Sequence, residues 1–202
     1  SNGGVDPMDV GSLRRIAECE PSDWRHWFRL GYRYLELCEP QSAIDPWLRT
    51  IALAPENALA HFLLSKAYVQ TGATLQAKAS LEIATSLRPD FAIAWKLLGA
   101  LLLDAGRYRE ALTVWKHAVR LQPSGEAWWQ LARCLISEKR YREAMVVLEE
   151  CVRLKDNHIP AHRALAFLGS LTQESDTTAR HLRRLYEIDE DVARIVASKI
   201  NQ

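Results

Sequence analysis

From Ser12 onward, apolar residues recur three and four positions apart in segments of a dozen or so residues, and polar or charged residues fill the gaps. That spacing puts the apolar residues on one face of an α-helix, so each segment is predicted to be amphipathic and to bury one side. Short breakers separate the segments at Cys38-Glu39-Pro40, Thr71-Gly72, Ala105-Gly106 and Glu138-Lys139. Gly72 and Gly106 fall where a helix end favours a left-handed residue, so the segments are predicted to pair as hairpins.

The pattern has a period. Pro21, Pro55, Pro89 and Pro123 lie 34 residues apart, each just after an apolar segment it cannot extend. A large–small pair keeps the same beat at Leu30-Gly31, Leu64-Ser65, Leu98-Gly99, Leu131-Ala132 and Leu165-Ala166. Ala43, Ala77, Ala111 and Ala144 form a second series, and Thr50, Ala84, Ala118 and Cys151 a third. One step is 33 residues, short by one between Pro123 and Gly125. A fixed period in this range marks stacked helical repeats, with small residues where two helices approach closely and aromatics where one fills its neighbour's groove.

The residues at these positions resemble the tetratricopeptide repeat family, whose signature runs aromatic, Leu-Gly, Tyr, Ala, aromatic, Ala, Pro. The first repeat reads Trp27, Leu30-Gly31, Tyr34, Ala43, Trp47, Thr50, Pro55, and the second His61, Leu64-Ser65, Tyr68, Ala77, Leu81, Ala84, Pro89. The third reads Trp95, Leu98-Gly99, Leu102, Ala111, Trp115, Ala118, Pro123; the fourth reads Trp128, Leu131-Ala132, Leu135, Ala144, Leu148, Cys151, with Asp156 in place of proline. The resemblance implies an all-α, right-handed superhelical solenoid of helix-turn-helix hairpins, about four clear repeats with degenerate terminal helices.

In these terms residues 1–7 are a tag or linker scar and 8–21 an N-terminal half-repeat or cap helix. Residues 24–57, 58–91, 92–124 and 125–158 are four repeats, 159–188 a degenerate fifth, and 189–202 a C-terminal capping helix. Thr172 to Thr178 is polar and reads as a longer turn, and Asp189 as a cap for the last helix. Pro46 lies inside a segment that should be helical, so either the helix is kinked there or it begins at Asp45-Pro46.

Composition narrows the function more than the fold. Of 202 residues, 48% are hydrophobic and 25% charged, and the net charge of +1 gives no reason to expect nucleic acid as the main partner. No apolar run is long enough for a membrane span. The four cysteines form no CxxC pair and read as reduced, mostly buried thiols. No phosphate loop, nucleophile elbow or dinucleotide fingerprint occurs, and His158 with His162 lacks the further ligands of a metal site, so the expectation is a non-enzymatic chain with no cofactor, no metal and no catalytic residue. A cytoplasmic location is expected, unless a signal peptide has been removed.

The resemblance implies that the first helices of successive repeats line a concave groove holding a peptide or helix. The groove-facing positions give Phe28, Tyr32, Phe62, Lys66, Lys96, Trp129, Arg133 and Arg163 as candidate binding residues, aromatic with a ladder of cations. Some family members clamp a terminal carboxylate with a Lys-Asn pair where this chain has Phe28 and Tyr32, which points to a more hydrophobic ligand. The expected function is therefore an adaptor or scaffold for an apolar, partly acidic protein segment. Self-association as a structural scaffold, and a regulatory segment of a larger protein, are the alternatives.

Overall fold

The computed structural model describes residues 9–200, so the residues 1–7 scar, Met8 of the 8–21 segment, and Asn201 and Gln202 of the terminal segment lie outside the described residues. Among those described there are twelve helices and no strand. In chain order they are α1 (Val10–Cys19), α2 (Trp24–Glu36), α3 (Pro40–Leu53), α4 (Ala58–Gln70), α5 (Thr74–Leu87), α6 (Ala92–Asp104), α7 (Tyr108–Leu121), α8 (Gly125–Ser137), α9 (Tyr141–Leu154), α10 (Ile159–Leu171), α11 (Ser175–Ile188) and α12 (Glu190–Ile200). The chain forms two compact units, residues 1–98 and 99–202. None of the described helices is long and apolar enough to cross a membrane.

First and second helices of each hairpin start differently, for a local reason. First helices begin after an open linker, and α2, α4, α8 and α10 carry side-chain caps: Asp23 accepts from the Arg25 amide, Asn57 from Ala60, Ser124 from Ala127 and the His158 ring from Ala161. The second helices α3, α5, α7, α9 and α11 have no such cap, because each follows at once on a tight left-handed turn. That turn recurs in register at Cys38, Gly72, Gly106, Lys139 and Gln173, all with φ between 59° and 79°. Each is closed by a backbone bond reaching back over the last turn of the first helix, as in Ala73 N to Tyr68 O at 2.8 Å and Glu174 N to Gly169 O at 2.7 Å.

Two expectations are corrected. The stretch from Thr172 is no longer than the other turns, because Gln173 adopts the left-handed conformation without being glycine and α11 starts at Ser175. Helix α3 starts at Pro40 rather than at Asp45-Pro46, with Pro46 inside it. The proline leaves the Ser42 carbonyl without its usual amide, but Ser42 is exposed to water, which satisfies that carbonyl at little cost. Pro46 is itself buried, and its carbonyl accepts a bond from the Thr50 hydroxyl at 2.9 Å.

Within hairpins the large and small positions fit as pairs. A Cβ on Gly31 would lie 2.7 Å from the Trp47 indole nitrogen, and one on Gly99 2.6 Å from that of Trp115. The indoles occupy the space glycine leaves. Where the small residue is Ser65 or Ala132 instead, the partner in register is Leu81 or Leu148, and both leucines are fully buried.

A second recurrent device ties each first helix to the preceding turn. The ring in the aromatic slot donates to the carbonyl six residues earlier: Trp27 to Pro21 at 3.0 Å, His61 to Pro55 at 3.0 Å, Trp95 to Pro89 at 2.9 Å and His162 to Asp156 at 2.8 Å. Asp156 thus replaces proline without loss of the tie, which uses only its backbone, while its side chain pairs with Arg184. Trp128 departs from the pattern, and its buried indole N–H has no partner. The missing residue between Pro123 and Gly125 moves the proline to five positions before the ring.

Candidate partner-binding surface

The predicted binding residues lie on first helices, which leave part of one face uncovered. Phe62 and Lys66 of α4 and Lys96 of α6 come together around a cleft of about 480 Å³, with Val69, Gln70, Ile93 and Leu97 completing its walls. Phe62 is nearly buried, its ring 4.9 Å from that of Phe91, so it forms a fixed wall of the cleft. Ile93 is 59% exposed although apolar, and Lys66 is exposed. The cleft therefore pairs an apolar aromatic and aliphatic surface with two ammonium groups.

Phe28 lies in a second cleft of about 340 Å³, with Trp24, Arg25, Arg29, Asn57, Leu59 and Arg88. Trp24 packs edge-on against Phe28 at 6.1 Å. Trp24, Arg29 and Arg88 are residues that the sequence reading did not select. Trp24 lies four positions before Phe28, on the same helix face, and that spacing could have identified it. Tyr32 is exposed at 49% but lines neither cleft.

In residues 99–202 the remaining candidates are arranged differently. Trp129 of α8 is half-buried, its ring 5.5 Å from that of His158. Arg133 is exposed and donates to Gln130 at 2.7 Å, and Gln130 in turn bonds Glu126. Arg163 of α10 is exposed. Glu138, a nearby acid that could have neutralised Arg133, is instead bound by Arg109 at 2.9 Å. Leu103, in phase with the groove positions of α6, is buried.

Reactive groups elsewhere are held in core roles. Burial pushes the Cys134 thiol up to about 12 and the Cys151 thiol up to about 11, far from the thiolate a nucleophile needs. Their thiols donate to the carbonyls of Gln130 and Gly125. Cys19 and Cys38 are exposed, so only half of the cysteines are buried, because both lie at helix ends and not on packed faces. Glu20, Asp23 and His26 bring donor atoms within 4.8 Å of one another. Asp23 already caps α2 and pairs with Arg25, while His26 lies 3.0 Å from Glu20, so local structure accounts for the group.

Repeated hairpins with matched large and small slots, and first-helix faces left partly open, define an α-helical repeat protein. Two tetratricopeptide repeat family models match the chain, at residues 62–114 and 102–168, together more than half of it. The chain belongs to the tetratricopeptide repeat family. Its fold is similar to that of YrrB, described as a TPR protein with an unusual peptide-binding site, at a TM-score of 0.81 and 18% identity over 94% of this chain and 100% of that one. It is also similar to MamA from Desulfovibrio magneticus RS-1, at 0.71 and 20% over 83% and 96%, and to PilF of Pseudomonas aeruginosa, at 0.69 and 17% over 94% and 87%. No curated protein matches the chain in sequence. Membership of this family supports a protein-interaction module, and modules of this family are generally not enzymes.

Proposed function

We propose that the chain is a non-enzymatic adaptor that seats an apolar, partly acidic peptide or helix on the open faces of its first helices. The carrying observation is the α4–α6 cleft, where Phe62, Val69, Ile93 and Leu97 surround a space for apolar side chains and Lys66 and Lys96 stand beside it. Apolar walls desolvate the ligand's anchor, and the lysines favour a neighbouring carboxylate. The peptide-binding site named for YrrB supports the reading by analogy of fold. Phe28, Tyr32, Trp129, Arg133 and Arg163 extend the same aromatic and cationic character to other first helices. The near-neutral net charge favours a protein segment over nucleic acid as the partner. Four free cysteines, two of them exposed, are compatible with a reducing, cytoplasmic setting.

The test is capture of binding proteins by the wild-type chain and by Lys66→Glu and Lys96→Glu, with light scattering to fix the oligomeric state. Wild type is expected to be a monomer whose captured partners are lost from both variants at unchanged helicity. Equal capture by both variants removes the cleft from the binding surface. A wild-type oligomer whose contacts cover the cleft turns the reading to self-assembly.

A further inference from the structure

The fifth hairpin holds a polar arrangement built on two buried histidines. His162 Nε2 lies 2.8 Å from the backbone carbonyl of Asp156, and His162 Nδ1 lies 2.9 Å from Nδ1 of His181. His181 Nε2 lies 3.1 Å from Oε1 of Glu149 on α9. Both imidazoles are buried, at 3% exposure each. In the four earlier hairpins the position of His181 is held by Pro46, Ser80, Val114 and Val147, none of which titrates.

Proton counting limits what this chain can hold. Its two ends, a carbonyl and a carboxylate, only accept hydrogen bonds. Three contacts therefore need three N–H protons, and two neutral imidazoles supply two. One imidazolium supplies the third, and Glu149 balances its charge. A second imidazolium would set two N–H donors against each other across the 2.9 Å gap and bury a charge without a partner. The folded hairpin accommodates one extra proton and not two, whereas each imidazole of the unfolded segment takes one near pH ~6.5.

We propose that the Glu149–His181–His162–Asp156 chain is an acid-sensitive latch, which holds α11 on α9 and α10 at neutral pH and releases it as the pH falls through the histidine range. The sign follows from the proton count. Below about pH 6.5 the open segment binds two protons and the closed one a single proton, so stability declines as the pH falls. Above that value only the closed segment holds a proton, so stability is greatest near pH ~6.5 and eases again once that proton is lost. Burial of His181 acts in the same direction by disfavouring its charged form, while the bond to Glu149 pulls the other way.

The surrounding charges do not replace the missing proton. From α9, Glu149 also binds Arg180, and Glu150 binds Arg153. From α11, Arg184 is shared between Asp156 and Glu187, and Arg183 lines the same cleft. His158 at the start of α10 is held below the usual histidine range by its burial, and adds to the acid response. Helix α12 meets this hairpin through the apolar Ala193 and Val196, and its Glu190 and Arg194 pair with each other. An open cleft of about 490 Å³ reaches both imidazoles, giving water and protons access.

The test is histidine NMR on the full chain from pH 8 to 4.5, with amide exchange followed helix by helix and corrected for intrinsic pH dependence. In wild type the pair takes up one proton while α11 stays protected. Below pH 6.5, opening of α11 and α12 then rises roughly tenfold per pH unit for each unmatched proton, faster than that of α6 and α7. Glu149→Gln supplies the third N–H itself, so the folded pair stays neutral and the acid response steepens toward about a hundredfold per pH unit. His162→Trp with His181→Val, residue types found at these positions in other hairpins, loses most of the response and covers the case in which Glu149→Gln does not fold. Independent protonation of both imidazoles near 6.5 with α11 still protected at pH 5 overturns the proposal. So does proton uptake unchanged by Glu149→Gln, or an acid response retained in the double variant.

Discussion

In the α2–α3 hairpin the space between the helices is filled by volume. The Trp47 indole, fully buried, lies over the bare backbone of Gly31, and Trp27 is buried as well. In the α10–α11 hairpin the small position is Ala166, and a line of hydrogen bonds through His162 and His181 runs beside an apolar core that includes Leu165 and Leu185. The two hairpins share a backbone plan, a turn conformation and a ring-to-carbonyl tie. They differ in what makes the fit specific: steric complementarity in the first, satisfied polar groups in the fifth. Their vulnerabilities should differ accordingly, the first to added atoms and the fifth to protons.

The largest expected effect tests the steric side. Gly31→Ala should cost about 2–3 kcal/mol, because the indole is boxed in and cannot move aside. Adding Trp47→Leu, which recreates the Ala132–Leu148 pairing of the fourth hairpin, should recover part of that loss. Urea unfolding measures both, and an unchanged midpoint for Gly31→Ala would show that the indole position is soft.

The polar side should respond to pH more than the steric side. Each proton that the unfolded α10–α11 segment binds in excess of the folded one removes about 1.4 kcal/mol per pH unit below about 6.5. The α2–α3 core, whose one histidine, His26, sits beside Glu20 and Asp23 and is not buried, should lose less over the same range. Parallel loss of protection in both hairpins would erase the distinction.

The shared turn gives a smaller effect. Lys139 and Gln173 hold left-handed backbone without being glycine, so Lys139→Gly and Gln173→Gly should each stabilise by about 0.5–1 kcal/mol. The reverse change, Gly72→Ala, meets no steric neighbour and should cost a similar amount through backbone conformation alone. Thermal melts that move in the opposite direction would place the strain elsewhere.

These contrasts also explain what could be read before the structure. The fifth hairpin was legible as a pair of helices, because Ile159–Leu171 and Ser175–Ile188 keep the apolar spacing even where the motif decays. The turn at Gln173 was not, because glycine is the usual sign of left-handed backbone and is absent there. Pro46 was ambiguous because its local rule disfavours a helix interior, and the register of Trp47 and Thr50 overrides that rule. The candidate binding residues were chosen by helix phase on the face that the family resemblance implies. Phase placed Phe62, Lys66 and Lys96 at one cleft, but it did not reveal that Leu103 is buried or that Trp129 packs on His158. The histidine chain went unnoticed because His162 sits in an aromatic slot and His181 in a slot that is apolar or small elsewhere, so each passes singly for a core residue. Only their juxtaposition shows the missing proton.

The first-helix faces should tolerate changes that both cores reject, and this is where the functional reading stands or falls. The direct measurement is affinity for a peptide selected from a displayed library on the wild-type chain, followed by a charge swap. The selected peptide should carry apolar anchors with an Asp or Glu; Lys66→Glu should weaken it at least tenfold without changing the melt, and replacing the peptide's acid with Lys should restore binding to that variant. Selected peptides that are basic, or that bind wild type and Lys66→Glu equally, would contradict the assignment of this cleft as the partner site.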